Sequence, residues 1–167
     1  ALPKTDPLRR QIISLSGLAL IDQGIGVIEL QRDTQGHWQR NPGKADRRIS
    51  GLSGLEDGRY LQATGPAIAV FENPKKLGYD DQLGAKIIGT FGNCAGGTTP
   101  WGTVLSAEEN FQDQVPEAVY ADGSAADPSL CPLQITEFFL AGQGNVFGLA
   151  GNKYGWMVEI DPTNADD

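Results

Sequence analysis

The stretch NCAGGTTPWGTVLSAEENF, residues 93–111, combines residue types that bind metal ions. Cys94 precedes the pair Gly96–Gly97, which lets the backbone bend tightly and leaves room beside the sulfur. Glu108 and Glu109 follow on a predicted strand. A thiolate binds zinc or iron, and carboxylate oxygens bind calcium, magnesium or ferric iron. The stretch therefore offers the donors of a mixed metal site, and a thiolate of lowered pKa would also be a nucleophile.

The spacing of these residues leaves a second interpretation open. Glu108 and Glu109 are neighbours, so on a strand their side chains point to opposite faces unless the strand bulges. Taken alone, the spacing favours a buried structural cysteine beside a solvated acidic strand end. The other cysteine, Cys131, could form one disulfide with Cys94. There is no C-x-x-C motif, which excludes a zinc ribbon.

Short strands separated by turn residues must position this stretch. One short helix is predicted from Pro7 to Leu15, and residues 26–41 predict a β-hairpin with a glycine-containing loop. Residues 92–101 and 112–134 are predicted to be long loops. This pattern indicates an all-β sandwich, barrel or propeller. The further strand candidates are residues 59–64, 67–71, 85–91, 102–110, 135–141 and 155–161.

The composition excludes several classes of function. The chain has 167 residues, which fits a single domain, and a formal net charge of -8. Nucleic-acid binding requires a clustered basic surface, which an acidic chain with one short basic run does not provide. No apolar run approaches the roughly 20 residues that a membrane-spanning helix needs.

The quoted stretch resembles the signature of the PhoX-type alkaline phosphatases, N-C-[AS]-G-G-x-T-P-W-G-T-x-L-x-x-E-E, from Asn93 to Glu109. Four other segments resemble the same family in the same order, so the resemblance spans about residue 24 to residue 162. These segments are GVIELQRDTQGHWQ, RRISG, IIGTFGNC and YGWMVEIDP.

The resemblance implies a fold, an activity and a set of metal ligands. The implied fold is part of a β-propeller with long decorating loops. The implied enzyme is an alkaline phosphatase that hydrolyses phosphate monoesters of small molecules with iron and calcium as cofactors. Carried over position by position, the iron-binding cysteine is Cys94, the acidic pair is Glu108 and Glu109, and Glu159 is a further metal ligand. The resemblance also implies export to the periplasm or secretion.

The length of the chain limits what the resemblance implies. A propeller blade takes about 40–50 residues. Residues 1–167 are therefore expected to be one β-rich segment, an incomplete portion of a larger propeller domain. Activity then depends on whether a further chain segment completes the site. Without such completion this portion is expected to be inactive.

Two other functions are compatible with parts of the sequence. A non-catalytic, calcium-stabilised β-propeller binding module would hold calcium at Asp161 and the C-terminal aspartates, or at residues 122–127. A dinucleotide-binding protein would use the glycines of residues 142–148, although the residues among them are poor helix formers.

Three further residues are predicted to have ordinary structural roles. His37, the only histidine, is expected to be a surface residue of the hairpin instead of a ligand. Trp101 and Trp156 could wall a substrate pocket, but a large aromatic beside glycines is more often packed against its own loop. We therefore expect both tryptophans to be packed.

Overall fold

A computed structural model describes residues 5–72, 79–116, 134–135 and 140–166. The predicted loop at residues 112–134 and Cys131 lie largely or wholly outside these ranges, whereas Cys94, the other half of the possible disulfide, is a free thiol. The described helices are α1 (Pro7–Asp22), α2 (Ala67–Glu72) and α3 (Phe111–Gln114). The described strands are β1 (Gly24–Val27), β2 (Leu30–Arg32), β3 (Trp38–Arg40), β4 (Arg47–Ser50), β5 (Leu61–Gln62), β6 (Lys86–Ile87), β7 (Asn93–Thr98), β8 (Val104–Glu108), β9 (Gln134–Ile135), β10 (Leu140–Ala141) and β11 (Met157–Ile160).

The described strands form small antiparallel sheets. Four of these sheets have two strands each and pair β1 with β4, β2 with β3, β5 with β6, and β9 with β10. The fifth sheet has the strand order β11-β8-β7. The strands of this three-stranded sheet carry or directly precede all the predicted metal ligands.

Helix α1 begins with a side-chain cap and packs through small residues. Asp6 accepts a hydrogen bond from the backbone N–H of Leu8 at 2.8 Å, and Pro7 occupies the first turn, where its missing N–H has no cost. Ser16, Gly17 and Leu20 are its buried residues. A Cβ on Gly17 would lie 3.3 Å from the ring of Phe147, so this face must stay small for the helix to pack closely.

The hydrophobic core lies between α1 and the segments that flank the three-stranded sheet. The rings of Phe91 and Tyr154 stack with their centroids 4.5 Å apart, and both are buried. The Tyr154 hydroxyl donates to the carbonyl oxygen of Ile88 at 2.8 Å. The core cluster consists of Leu20, Leu52, Ile88, Phe91, Val115, Leu149 and Tyr154. This core packs against the end of the sheet where β7 and β11 begin and β8 ends, which is the end that carries Cys94 and Glu109.

The β-rich prediction and the hairpin are confirmed, and three local predictions are wrong. Strands β2 and β3 form the predicted hairpin. Residues 67–71 are helical, since Pro66 precedes good helix formers at Ala67 and Ala69. Helix α1 continues seven residues past Leu15 because tertiary packing holds its second half. Residues 93–98 form strand β7 where a loop was expected.

The glycine run at residues 142–148 does not open an α-helix. Residues 145–147 form a single 3-10 turn that ends at Gly148. A dinucleotide site needs a longer helix whose N-terminus faces the pyrophosphate, so the structure removes the basis for that function. Within the described ranges, no helix is long and apolar enough to cross a bilayer.

Candidate metal-binding site

A β-bulge in β7 shapes the candidate site. Asn93 pairs with Glu108 and Gly96 pairs with Ser106, so Cys94 and Ala95 together oppose one residue of β8. Such a bulge inserts one residue and re-aims the side chains around it. For the carboxylates of Glu108 and Glu109 to converge, β8 would have to bulge. The structure instead places the bulge in β7, at Cys94.

A glycine beside the bulge allows β7 and the end of β8 to approach each other. Gly92 has φ +64°, a conformation that side chains disfavour, and a Cβ there would lie 2.1 Å from the carbonyl oxygen of Glu109. The backbone N–H of Glu109 donates to the carbonyl oxygen of Gly92 at 2.8 Å. This contact keeps Glu109 beside Cys94.

The structure brings Cys94 and Glu109 close together. Both side chains are exposed, and the thiol is free. The hydrogen bond from the thiol to the Glu109 carboxylate raises the pKa of Cys94 above 9.0, with help from charge repulsion and a little desolvation. The thiol therefore keeps its proton at neutral pH, which argues against an activated cysteine nucleophile in the metal-free chain.

Glu108 lies on the opposite face of β8 from Glu109. Its carboxylate accepts hydrogen bonds from the Thr90 hydroxyl at 2.7 Å and from the backbone N–H groups of Gly155 at 2.8 Å and Trp156 at 3.3 Å. Burial raises the pKa of Glu108 above 4.5, and these hydrogen bonds oppose the increase. The structure does not bring Glu108 to Cys94. Glu108 instead joins the segments on either side of β8.

Glu159 lies on the same face of the sheet as Glu109 but farther along it. Glu159 pairs with Leu105, and alternate residues of β8 share a face, so Leu105 and Glu109 point the same way. Leu105 and Glu109 are four positions apart, a distance on the order of 13 Å along a strand. Glu159 is therefore not adjacent to the pair formed by Cys94 and Glu109.

The Glu159 carboxylate already accepts two hydrogen bonds. The Thr103 hydroxyl donates to it at 2.5 Å and the Trp101 indole N–H donates at 2.8 Å. These two hydrogen bonds, the Thr103 bond above all, lower the pKa of Glu159 below 4.5. Glu159 is thus an oriented, exposed carboxylate that is charged at neutral pH.

The tryptophans and the histidine give mixed outcomes. The prediction that Trp101 is packed is wrong, because it is 71% exposed and is held through its N–H by Glu159. Trp156 is 41% exposed and so only partly packed: its ring centroid lies 6.1 Å from that of Phe71, and its indole N–H donates to the carbonyl oxygen of Asn152 at 3.2 Å. The His37 side chain is 72% exposed in the hairpin, which confirms a surface residue.

Sequence reasoning missed the hydroxyl groups that hold the carboxylates. Thr90 joins Glu108 to Asn93, whose side-chain amide donates to the Thr90 hydroxyl at 2.8 Å. Thr103 holds Glu159 and contacts the Thr99 hydroxyl at 2.8 Å. Neither threonine stands out in type or spacing, since only the fold brings each one to a residue more than fifteen positions away.

The donors present fit one side of a metal coordination shell. Cys94 supplies a sulfur that suits a transition metal, and Glu109 supplies a carboxylate that suits iron or calcium. A four- to six-coordinate ion needs further donors. Within the residues that the structure describes, no three His, Cys, Asp or Glu side chains are close enough to hold a metal ion.

Comparisons with known proteins agree with the predicted family. The family model for alkaline phosphatase PhoX matches residues 11–167. A solved structure, Pseudomonas fluorescens PhoX in complex with vanadate, a transition state analogue, is similar at 30% identity and a TM-score of 0.61. The match covers 93% of this chain and 26% of that chain. A search of curated proteins finds no significant match. The structural similarity supports the predicted class, a β-rich part of a propeller.

Proposed function

The chain belongs to the alkaline phosphatase PhoX family, and we propose that it forms part of a metal-dependent phosphomonoesterase. The placement of Cys94 beside Glu109 carries the proposal, because the bulge in β7 and the hydrogen bond from the Glu109 backbone N–H to the Gly92 carbonyl oxygen bring a sulfur and a carboxylate near each other on an exposed sheet face. Both residues lie within the matched residues 11–167. The proposed substrates are phosphate esters of small molecules.

Iron and calcium are the proposed cofactors. Cys94 and Glu109 would hold iron, since the sulfur selects a transition metal over calcium. Glu159 is the proposed additional ligand, and its anionic carboxylate suits calcium or iron. When bound, the two cations would neutralise phosphate oxygens and stabilise the charge that develops during hydrolysis.

The side chains of this chain would prepare the site in three ways. Cys94 must lose its thiol proton to act as a ligand, and the Glu109 carboxylate already accepts the hydrogen bond of that proton. Trp101 and Thr103 hold Glu159 in one orientation. Glu108, whose position does not support a ligand role beside Cys94, would fix β8 to its flanking segments.

Further donors would come from a chain segment beyond these residues. The chain spans about a quarter of the length of the solved structure that it matches. We propose that such a segment completes the coordination shell and the propeller. Export to the periplasm or secretion is proposed as well, and only the family resemblance supports it.

A non-catalytic binding module stabilised by calcium is the second candidate. The observation that favours it is the pairing of only two candidate ligands, Cys94 and Glu109, on the described part of the sheet. Asp161 would be one calcium ligand, and its pKa is held below 3.8, first by the hydrogen bond from the Thr163 hydroxyl. Such a protein would bind calcium and hydrolyse nothing.

Hydrolysis of p-nitrophenyl phosphate tests the proposed function, measured on the chain produced together with the segment proposed to complete its site and supplied with iron and calcium. Cys94→Ala is expected to lower the rate at least about 100-fold, more than the 10–100-fold typical of residues that only support a ligand. Cys131→Ala removes the other thiol and serves as the matched control. Equal rates for parent and Cys94→Ala would contradict the proposal. Metal binding without hydrolysis would favour the binding module.

A further inference from the structure

A basic cavity lies away from Cys94 and Glu109. It has a volume of about 290 Å³ and lies between β4, the turn at residues 53–59, strands β5 and β6, and residues 165–166. A cavity of this size is near the lower end of the roughly 300–1,000 Å³ range of small-molecule sites. The lining residues that matter here are Arg48, Ser53, Asp57, Arg59, Tyr60 and Lys86.

The charge of the cavity is opposite to that of the chain. Four of its lining residues are Arg or Lys and two are Asp, whereas the chain as a whole has a formal net charge of -8. A concave surface lined by one sign of charge concentrates the electrostatic field and attracts ions of the other sign. The cavity is therefore suited to an anion.

Two of the cations keep their charge available. In the part of the chain that the structure describes, Arg48 and Lys86 have no carboxylate within 4.0 Å. Arg48 donates to the backbone carbonyl oxygens of Asp22 and Gln23, which orient its guanidinium without cancelling its charge. By contrast, Arg59 already pairs with Asp57 at 3.3 Å.

Tyr60 forms a fixed aromatic wall beside these cations. A Cβ on Gly54, which has φ +96°, would lie 2.6 Å from the Tyr60 ring, so the ring packs directly on that backbone. The Lys86 ammonium lies 5.4 Å from the ring centroid, within the range of a cation–π contact. The ring and the ammonium therefore lie side by side in the lining of the cavity.

We propose that this cavity binds a small aromatic or ring-containing phosphate compound, with its phosphate near Lys86 and Arg48 and its ring against Tyr60. Arginine and lysine are the usual partners of phosphate groups. The proposal involves neither metal ions nor hydrolysis, so it does not depend on the proposed function.

Titration of the metal-free chain with phenylphosphonate, which has no ester bond to hydrolyse, tests the proposal. Backbone NMR shifts are followed at residues 58–62 and 86 and, for comparison, at residues 93–97. Saturable shifts are expected at the first set only, with tighter binding than methylphosphonate because of the ring. Shifts confined to residues 93–97, or no saturable shifts, would overturn the proposal. Tighter binding of benzoate than of phenylphosphonate would overturn the choice of phosphate.

A matched pair of variants separates the cavity from general charge attraction. Lys86→Gln is expected to weaken phenylphosphonate binding at least about fivefold at low salt. Lys44→Gln removes the same charge from an exposed residue outside the cavity and is expected to leave binding unchanged. Equal weakening by both variants would overturn the proposal. The Lys86 side chain is exposed, so its replacement does not disturb the core.

Discussion

Each face of strand β8 carries a glutamate, and the two glutamates have different roles. Glu108 faces inward, where a hydroxyl and two backbone N–H groups satisfy its carboxylate. Glu109, the next residue, faces outward and contacts Cys94. Strand alternation alone separates them. The comparison shows that the inward face holds the sheet together, while the outward face has carboxylates and a thiol that remain available to a ligand.

The inward face continues into a buried ion pair. Lys153 and Asp81 lie 2.7 Å apart with side chains only 4% and 7% exposed, and Lys153 also donates to the carbonyl oxygen of Lys86. The charges of Glu108 and Asp81 both act on Tyr154, whose pKa is raised well above 10.0, first of all by burial. Glu108, Asp81 and Lys153 are therefore parts of one buried charged region.

The largest effect is expected from breaking that ion pair. Asp81→Ala leaves the Lys153 ammonium buried without its partner, so the free energy of unfolding should fall by about 3–5 kcal/mol. Arg59→Gln removes one partner of the exposed Arg59–Asp57 pair and should cost at most about 1 kcal/mol. Urea denaturation measures both variants. A loss for Asp81→Ala no larger than that for Arg59→Gln would contradict the buried, stabilising role given to the Asp81–Lys153 pair.

Glu108→Ala is expected to have the next largest effect. It leaves the Thr90 hydroxyl and two backbone N–H groups without their acceptor, at a cost of about 2–3 kcal/mol. Glu109→Ala is the matched control one residue away and should change stability by no more than about 0.5 kcal/mol. Thermal and urea unfolding of the two variants compare the faces directly. Similar losses in both would mean that the faces do not differ as described.

The pKa values of Glu108 and Glu159 should lie on opposite sides of 4.5, with Glu108 above it and Glu159 below it. Burial raises the pKa of Glu108, so its contribution to stability falls as the pH rises from about 4.5 through its folded pKa. Hydrogen bonds from Thr103 and Trp101 lower the pKa of Glu159, so its contribution is present above pH 4.5 and is lost as the pH falls through its folded pKa. Carboxyl NMR titration measures both. A titration midpoint for Glu108 below that for Glu159 would contradict this prediction.

The smallest effect concerns the Cys94 thiol. Its folded pKa should lie above 9.0 because Glu109 accepts its hydrogen bond and repels the thiolate. Glu109→Gln removes the repelling charge and should move the pKa back toward 9.0. The rate of alkylation by iodoacetamide as a function of pH reports the thiolate fraction. An unchanged titration in Glu109→Gln would mean that the two side chains are not in contact in solution.

Sequence reasoning reached the strands but not the contacts that organise the site. The hairpin and the strands around residues 104–108 and 157–160 follow from alternation and turn residues. Because alternation fixes faces, it also anticipated that Glu108 and Glu109 would separate. The bulge at Cys94 could not be predicted, since it depends on the pairing register between β7 and β8. The hydrogen bonds of Thr90 and Thr103 could not be predicted either, since they join residues that are far apart in the sequence.

Metal content by elemental analysis, on the chain produced together with the segment proposed to complete its site and purified without added metals, tests the central claim most directly. The claim is that Cys94 and Glu109 form one side of a metal site. The account predicts iron and calcium in the parent and in Cys131→Ala, and loss of iron from Cys94→Ala. Iron retained in Cys94→Ala, or neither metal in any of the three proteins, would contradict it.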